Sequence, residues 1–282
     1  MRELSFFRKL KNVLFMGFCW LSLFCALVPL LLIFAYVFLR GFESLSWDFF
    51  LHLPKPVGEL GGGMANALLG SLMMLLLALG VGLPIGIFSG IFLAEWPEQK
   101  LVGLVRSAAE LLNGTPSIVV GIFIYSIVVM NMGSFSAYAG SLALAIIMIP
   151  LVLRTTEEML RLVPRNLREG ALAPGIPYWK VIIFVVVSTA RSGILTGCLL
   201  AIARISGETA PLLFTALGNQ FWNTKLAEPM AALPLQIFTY AISPFEDWQR
   251  MSWAGSLVLI LAVLTLNVSA RLFSRARTRG AR

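Results

Sequence analysis

The sequence contains little charge. Of its 282 residues only 13% are Asp, Glu, Lys or Arg, whereas 58% are hydrophobic and the mean hydropathy is +0.85. A soluble domain averages about 25% charged residues, because a polar surface must cover its core. The shortage therefore excludes a soluble domain and predicts an integral membrane protein. The net charge of +8 does not indicate a nucleic-acid partner, since the basic residues stand between or beside apolar runs and form no stripe with interleaved aromatics.

Cysteine and histidine are also scarce. Cys19, Cys25 and Cys198 lie inside apolar runs without a CxxC motif, which is typical of packing residues. The single histidine, His52, has no partner at metal-ligand spacing, so no metal site is predicted. The sequence has no HExxH motif, and no GK[ST] follows the three glycines at 61–63. We therefore expect neither an enzyme nor an ATP-binding loop in this chain.

What the sequence has instead is a series of long apolar runs. A helix needs about 20 residues to cross about 30 Å of hydrocarbon. The first run exceeds the apolar core of a signal peptide and lacks a cleavage site, so it is predicted to be retained. The fold class predicted is an all-α membrane protein with six transmembrane helices. These are 12–39, 64–94, 111–130, 135–153, 193–217 and 253–270.

The distribution of basic residues predicts the orientation. Six spans put both termini on one side of the membrane, and Lys and Arg accumulate in cytoplasmic segments. With both termini cytoplasmic, 17 of the 22 Lys and Arg lie on the cytoplasmic side. The resulting organisation is a basic cytoplasmic N-terminus (1–11), a first helix (12–39), a periplasmic loop (40–63), a core of five helices (64–270) and a basic cytoplasmic tail (271–282).

The segment 154–180 is too charged to span and is punctuated by proline and glycine. Pro164 suits the start of a helix, whereas Pro174 and Gly175 stop one. The pattern predicts a short amphipathic helix from Arg165 to Ala173, followed by another helix that Pro177 opens. From its pattern alone, the short helix could equally lie on the lipid surface.

Within this segment, Glu169-Gly170-Ala171 with Gly175 six residues after the glutamate resembles the EAA coupling loop of ABC importer permeases. More specifically, the chain from about 61 to 270 is similar to the permease subunits of phosphate ABC importers. The motifs that carry the similarity are GGGMANALLGSLMM from Gly61, LNGTPSIVVGIFIYSIVV from Leu112, RTTEEMLRLVP from Arg154 and AIARISGETAPLLFTALGNQFW from Ala201.

The resemblance implies a type I ABC importer permease in the bacterial cytoplasmic (inner) membrane, forming half of a phosphate pathway. It also implies a second permease subunit (PstC), a phosphate-binding protein (PstS) and an ATPase dimer (PstB), which would use ATP and Mg while this chain holds no cofactor. The loop 218–251 is the expected contact of the binding protein. The residues expected to couple to the ATPase are Arg168, Glu169, Gly170, Ala171 and Gly175.

Three positions depart from the usual EAA loop. Gly170 replaces its second alanine, Pro174 precedes Gly175, and Ser188 stands where many such loops have proline. Because these changes lie at or near helix ends, where glycine and proline are tolerated, we expect an altered end of the coupling helix and a retained docking site.

Two charged pairs are the candidate pathway residues. Arg204 and Glu208 are four apart in the fifth predicted span, and ionisable groups at membrane depth usually line a pathway. A guanidinium supplies planar donors for phosphate oxygens, and a neighbouring carboxylate would keep the binding transient. The alternative is a structural ion pair. Arg154 and Glu157 form a similar predicted pair at the end of the fourth span; the resemblance assigns them to the translocation unit, although a plain salt bridge at the membrane edge explains them equally well.

Two other functions remain open from the sequence. An importer permease for another oxyanion, such as sulfate or molybdate, would have the same architecture. An ATP-independent secondary transporter is disfavoured by the EAA-like loop and by the absence of a visible inverted repeat.

Overall fold

The computed structural model describes residues 2–59 and 61–279, with side chains described for 6–59 and 61–269. The described backbone is almost entirely helical, and it contains no strand beyond an isolated bridge between Leu217 and Met230. Two π-helical turns, Tyr125–Val129 and Ile182–Val187, join α5 to α6 and α9 to α10. The helices are α1 (Arg2–Ser44), α2 (Asp48–Leu51), α3 (Ala65–Glu95), α4 (Lys100–Gly114), α5 (Ser117–Ile124), α6 (Met130–Met132), α7 (Ala137–Arg161), α8 (Arg165–Leu172), α9 (Tyr178–Val181), α10 (Ser188–Ser206), α11 (Ala210–Leu213), α12 (Leu233–Ala241) and α13 (Glu246–Arg279).

The predicted all-α membrane fold is confirmed. Five described helical segments are long and apolar enough to span a membrane, or six if one bent pair counts as a span. The five are Phe6–Ser44, Ala65–Glu95, Ala137–Arg161, Tyr178–Ser206 and Glu246–Ser269.

The third predicted span, 111–130, is not one continuous helix. Helices α4 and α5 meet at Thr115–Pro116 with a bend of 105°. Proline has no amide hydrogen to continue the helix, and it drives the preceding residue out of the α region. Thr115 accordingly has a ψ of 131°. The predicted span is therefore divided into α4 and a second helical segment that begins at Ser117, at a steep angle to α4.

The fourth and fifth predicted spans also have different bounds. Helix α7 continues past 153 to Arg161, and the helical segment predicted for 193–217 begins instead at Tyr178 and ends at Ser206. A charged turn does not end a helix when its side chains find partners or water, so hydropathy alone misplaced both boundaries. Between the break at Gly207 and residue 217, the predicted end of this span, only one short helix, α11, forms.

Helices α3 and α7 pack closely at the centre of the molecule. Gly82, Gly86 and Gly90 recur every fourth residue on the face of α3 that lies against α7. A Cβ atom at Gly86 would lie 2.8 Å from the Val152 side chain, and one at Gly90 would lie 2.6 Å from the carbonyl oxygen of Leu153. Only glycine allows this approach, which joins the two helices into one unit.

Candidate functional site

Arg204 lies about half way along the length of the helical bundle, with its side chain exposed in this chain. Helices α10 and α7 are antiparallel, because Gly193 packs against Met159 and Gly197 packs against Thr155. At equal rise along both helices this register brings Arg204 opposite Met148, about half way along α7. By this register the arginine lies far from both ends of α7.

The predicted pair of Arg204 and Glu208 is present as a loose contact. The Nε atom of Arg204 lies 3.9 Å from Oε1 of Glu208, and its Nη1 donates a 3.3 Å hydrogen bond to Oδ1 of Asn113. The prediction that both residues lie in one helix was wrong, however. Glu208 does not share a helix face with Arg204, because α10 ends at Ser206 and Glu208 lies in the following turn. The arginine remains 42% exposed in this chain.

Two helix breaks surround this arginine. Asn113 lies one turn before the break at Thr115–Pro116, and Arg204 lies in the last turn before the break at Gly207. The segments beyond the breaks are also in contact, since a Cβ at Gly121 would lie 2.7 Å from Cα of Pro211. Irregular backbone at membrane depth is tolerated where protein buries it or where it lines a polar cavity.

A charged cleft of about 290 Å³ lies between α4 and α7. Three arginines and three glutamates line it, so its formal charge is zero. They are Arg106, Arg154, Arg161, Glu110, Glu157 and Glu158. Asn113 also lines the cleft and accepts a hydrogen bond from Arg204, so it connects the cleft to that arginine.

The predicted pair of Arg154 and Glu157 does not form. Glu157 is nearly buried, and its Oε1 lies 2.7 Å from Nη2 of Arg106 and 2.7 Å from Nη2 of Arg161. Arg154 instead contacts Glu158 at 3.1 Å and Glu110 at 3.8 Å. Glu158 and Arg161 are four residues from their partners along α7, a spacing that the sequence could have indicated. Arg106 and Glu110 come from α4 and are brought in by tertiary packing, which spacing along α7 cannot reveal.

The predicted short helix forms as α8, from Arg165 to Leu172, and Tyr178 begins the next helix after Pro177. Glu169 and Gly170 are exposed on α8. Gly175 has a φ of +77°, a left-handed conformation that glycine adopts without strain, and it turns the chain after the helix. This surface faces away from the bundle.

Arg168 is held on the opposite side of α8. Its Nη1 pairs with Oε1 of Glu95, and its Nη2 donates a 2.7 Å hydrogen bond to the carbonyl oxygen of Leu160. Tyr178 donates a 2.8 Å hydrogen bond to the other carboxylate oxygen of Glu95. Sequence reasoning missed Glu95, although an acidic residue that directly follows a long uncharged run was a usable signal. The ATPase contact predicted for Arg168 stays a prediction.

These features define a multi-span membrane permease with an internal arginine, a charged cleft and a projecting helix. The family model "Binding-protein-dependent transport system inner membrane component" matches residues 82–282. The chain belongs to this family and is a transport permease component, not an enzyme.

Its relatives narrow the family further. The "Phosphate transport system permease protein PstA" of Yersinia pestis is 49% identical over 233 residues, covering 82% of this chain and 79% of that protein. The protein of the same name from Pasteurella multocida is 47% identical over 267 residues, covering 94% of this chain and 95% of that protein. The chain thus falls among the PstA permeases of its family.

Solved structures confirm the fold. An inward-facing MetNI methionine ABC transporter superposes with a TM-score of 0.59 at 18% identity, covering 75% of this chain and 92% of the other. An amino acid ABC transporter crystallised with histidines gives a TM-score of 0.55 at 20% identity. The architecture is therefore that of an ABC importer permease.

Proposed function

We propose that the chain forms half of the phosphate pathway of an ATP-driven importer, with Arg204 as its central anion-binding group. The observation that supports this most directly is an arginine half way along the bundle, beside two helix breaks. Charge at this depth is costly, so it is retained where it meets a solute or a partner. The names of the relatives supply the solute, phosphate.

The side chains around Arg204 suit a transient phosphate site. Its guanidinium offers planar donors to phosphate oxygens. The Asn113 amide, now an acceptor, also has two N–H donors. Glu208 lies 3.9 Å from the arginine and competes with the anion for it. Binding is thus strong enough to replace hydration and weak enough to permit release.

The charged cleft extends this pathway toward α8. Each of its three arginines already contacts a carboxylate, so an anion that binds there competes with a carboxylate for the guanidinium. We assign Arg154 and Glu157 to this part of the pathway, as their motif implies, with Arg106 as a further member.

The chain is proposed to lie in a bacterial inner membrane with both termini cytoplasmic, as the 17 of 22 basic residues indicate. Helix α8 would then meet the ATPase PstB through Glu169, Gly170 and Ala171, with Gly175 shaping the end of the surface. The loop 218–251 would face the phosphate-binding protein PstS, and PstC would complete the pathway. ATP and Mg would bind the ATPase only.

The test is reconstitution of the complete transporter in vesicles with phosphate, sulfate or molybdate. We expect phosphate alone to stimulate ATP hydrolysis and to be taken up. Arg204→Gln should lower phosphate uptake at least about tenfold, since a hydrogen bond to a charged group contributes about 1.5–3 kcal/mol. Arg191→Gln, which changes an exposed arginine of the same helix outside the cleft, is the matched control.

Normal uptake by an assembled Arg204→Gln transporter would contradict the role of Arg204. Stimulation by sulfate or molybdate and not by phosphate would identify another oxyanion importer. Uptake that persists when the ATPase is catalytically inactive would indicate a secondary transporter.

A further inference from the structure

We infer that Glu95 is a positioning residue that couples movement of α8 to α3, and through α3 to the charged cleft. The inference rests on the proposed function in one respect, namely that the ATPase moves α8. It assigns a role in energy coupling to a residue outside both the EAA-like segment and the anion pathway.

Glu95 is almost completely buried. It ends α3, and its side chain is only 1% exposed. Burial of a carboxylate is unfavourable unless charge and hydrogen bonds compensate. Both oxygens are compensated from the α8 and α9 region, one by the guanidinium of Arg168 and the other by the hydroxyl of Tyr178. Neither contact is local in sequence, so the carboxylate joins three separate segments.

One of the residues that contact Glu95 also contacts α7. Arg168 donates to the carbonyl oxygen of Leu160, in the last turn of α7. Trp96, next to Glu95, packs edge-on against the Tyr178 ring, with the ring centroids 6.0 Å apart. We call the ion pair and its two flanking hydrogen bonds the Glu95 clasp. It connects the ends of α3 and α7 to the middle of α8 and to the start of α9.

Helix α8 has little other attachment to the helical bundle. All eight of its residues are described and none is buried. Leu167 and Leu172 are exposed, and only Ala171 packs, in part, against the apolar core. Dispersion contacts at this helix are therefore few, and the clasp is its principal polar link to the bundle.

Next to the Glu95 clasp, α3 packs directly on α7. Gly90 of α3 contacts Leu153 and Thr156 of α7, and Leu153 lines the charged cleft. A helix seam packed through glycines moves as a unit because it has no compliant side chains between the backbones. Displacement of α8 is thereby passed to α3 and α7, at the wall of the cleft.

The experiment uses the complete purified transporter with the wild-type chain or with Glu95→Gln, which removes the charge at nearly constant volume. Hydrogen exchange is compared at α8 and at the last two turns of α3, with and without ATP. We expect ATP to alter exchange at both places in the wild type. In Glu95→Gln, ATP should still alter exchange at α8, but the change at α3 should be clearly smaller, because α8 then reaches α3 only through its bond to Leu160 of α7.

A second measurement is the amount of phosphate taken up per ATP hydrolysed. We expect Glu95→Gln to lower this ratio at least about fivefold, the lower end of typical coupling between sites. Glu95→Asp, which keeps the charge, should restore part of it. Glu98→Gln, which removes an exposed carboxylate just beyond the end of α3, is the matched control and should leave the ratio unchanged.

A double variant, Glu95→Gln with Arg168→Gln, should couple no worse than the poorer single variant, since the two residues act as one pair. An ATP-dependent change at α3 that is as large in Glu95→Gln as in the wild type, or that is missing from the wild type, would overturn the inference. So would a lower yield of complex with an unchanged ratio, which is the result expected of a purely structural residue.

The exchange measurement needs no transported solute. If the wild-type transporter took up no phosphate, the proposed function would fail while the exchange result at α3 would still decide the inference.

Discussion

Replacing Glu157 by glutamine changes the charge of the cleft without changing its shape. Glu157 is nearly buried and accepts from Arg106 and Arg161, each at 2.7 Å. The substitution converts a cleft with three arginines and three glutamates into one with a formal charge of +1. Both freed guanidinium groups can then hold an anion that passes through.

The size of the effect follows from Coulomb's law. Two unit charges 4 Å apart interact by about 4 kcal/mol at an effective dielectric constant of about 20. The arginines are 40% and 49% exposed, so solvent screening reduces the gain to about 1–2 kcal/mol. Since about 1.4 kcal/mol is tenfold in an equilibrium constant, phosphate should be retained about tenfold more strongly.

The assay combines retention and turnover. Equilibrium dialysis of the purified transporter with labelled phosphate should show about tenfold tighter binding in Glu157→Gln. Uptake into vesicles at saturating binding protein should fall, because release becomes slower. The matched variant is Glu157→Gln with Arg106→Gln, which restores a neutral cleft and should recover part of the turnover.

Two results would refute this reasoning. One is a single variant that binds phosphate no more tightly than the wild type. The other is a double variant that takes up phosphate more slowly than either single variant, with the two losses adding. The charge balance of the cleft would then not control turnover. Thermal unfolding of each variant separates either result from a loss of stability.

Two further predictions concern packing and the geometry of the central arginine. Gly90→Ala should be about 1–3 kcal/mol less stable than Gly80→Ala in detergent denaturation. A Cβ at Gly90 would lie 2.6 Å from a backbone atom, whereas a Cβ at Gly80 would have no atom within 4 Å. Equal denaturation midpoints would contradict the close packing of α3 on α7. Arg204→Lys keeps the charge but loses the planar fork, so phosphate uptake should fall about tenfold with normal assembly, and wild-type uptake would show that charge alone suffices.

The sequence predicted the helical class of the fold better than the bounds of its helices. Long apolar runs identify spans because lipid permits little else. Hydropathy does not register where a helix bends, so the run 111–130 concealed the 105° bend at Thr115–Pro116. Pro116 was visible, but a proline within an apolar run is also compatible with a continuous helix, as Pro84 and Pro150 are in α3 and α7.

The candidate site was predictable only where its contacts are local. Proline and glycine delimited α8 because they act on the neighbouring backbone. The partners of Glu157 and Arg168 are remote: Arg106 is 51 residues from Glu157, and Glu95 is 73 residues from Arg168. No spacing rule reaches that far. The pairing of Arg154 with Glu157 also relied on a spacing of three, whereas both residues use partners four residues away on α7.

The ion pairs along the proposed pathway loosen toward the middle of the membrane. At the α8 end, Arg106 and Arg161 lie 2.7 Å from Glu157. Further along the cleft, Arg154 contacts carboxylates at 3.1 and 3.8 Å, and at mid-depth Arg204 is 3.9 Å from Glu208. An anion therefore finds the least committed guanidinium at the centre and must compete with progressively closer carboxylates to go on toward α8. Under the proposed function, that step needs the cleft to open, which is the movement that α8 and the Glu95 clasp are placed to drive.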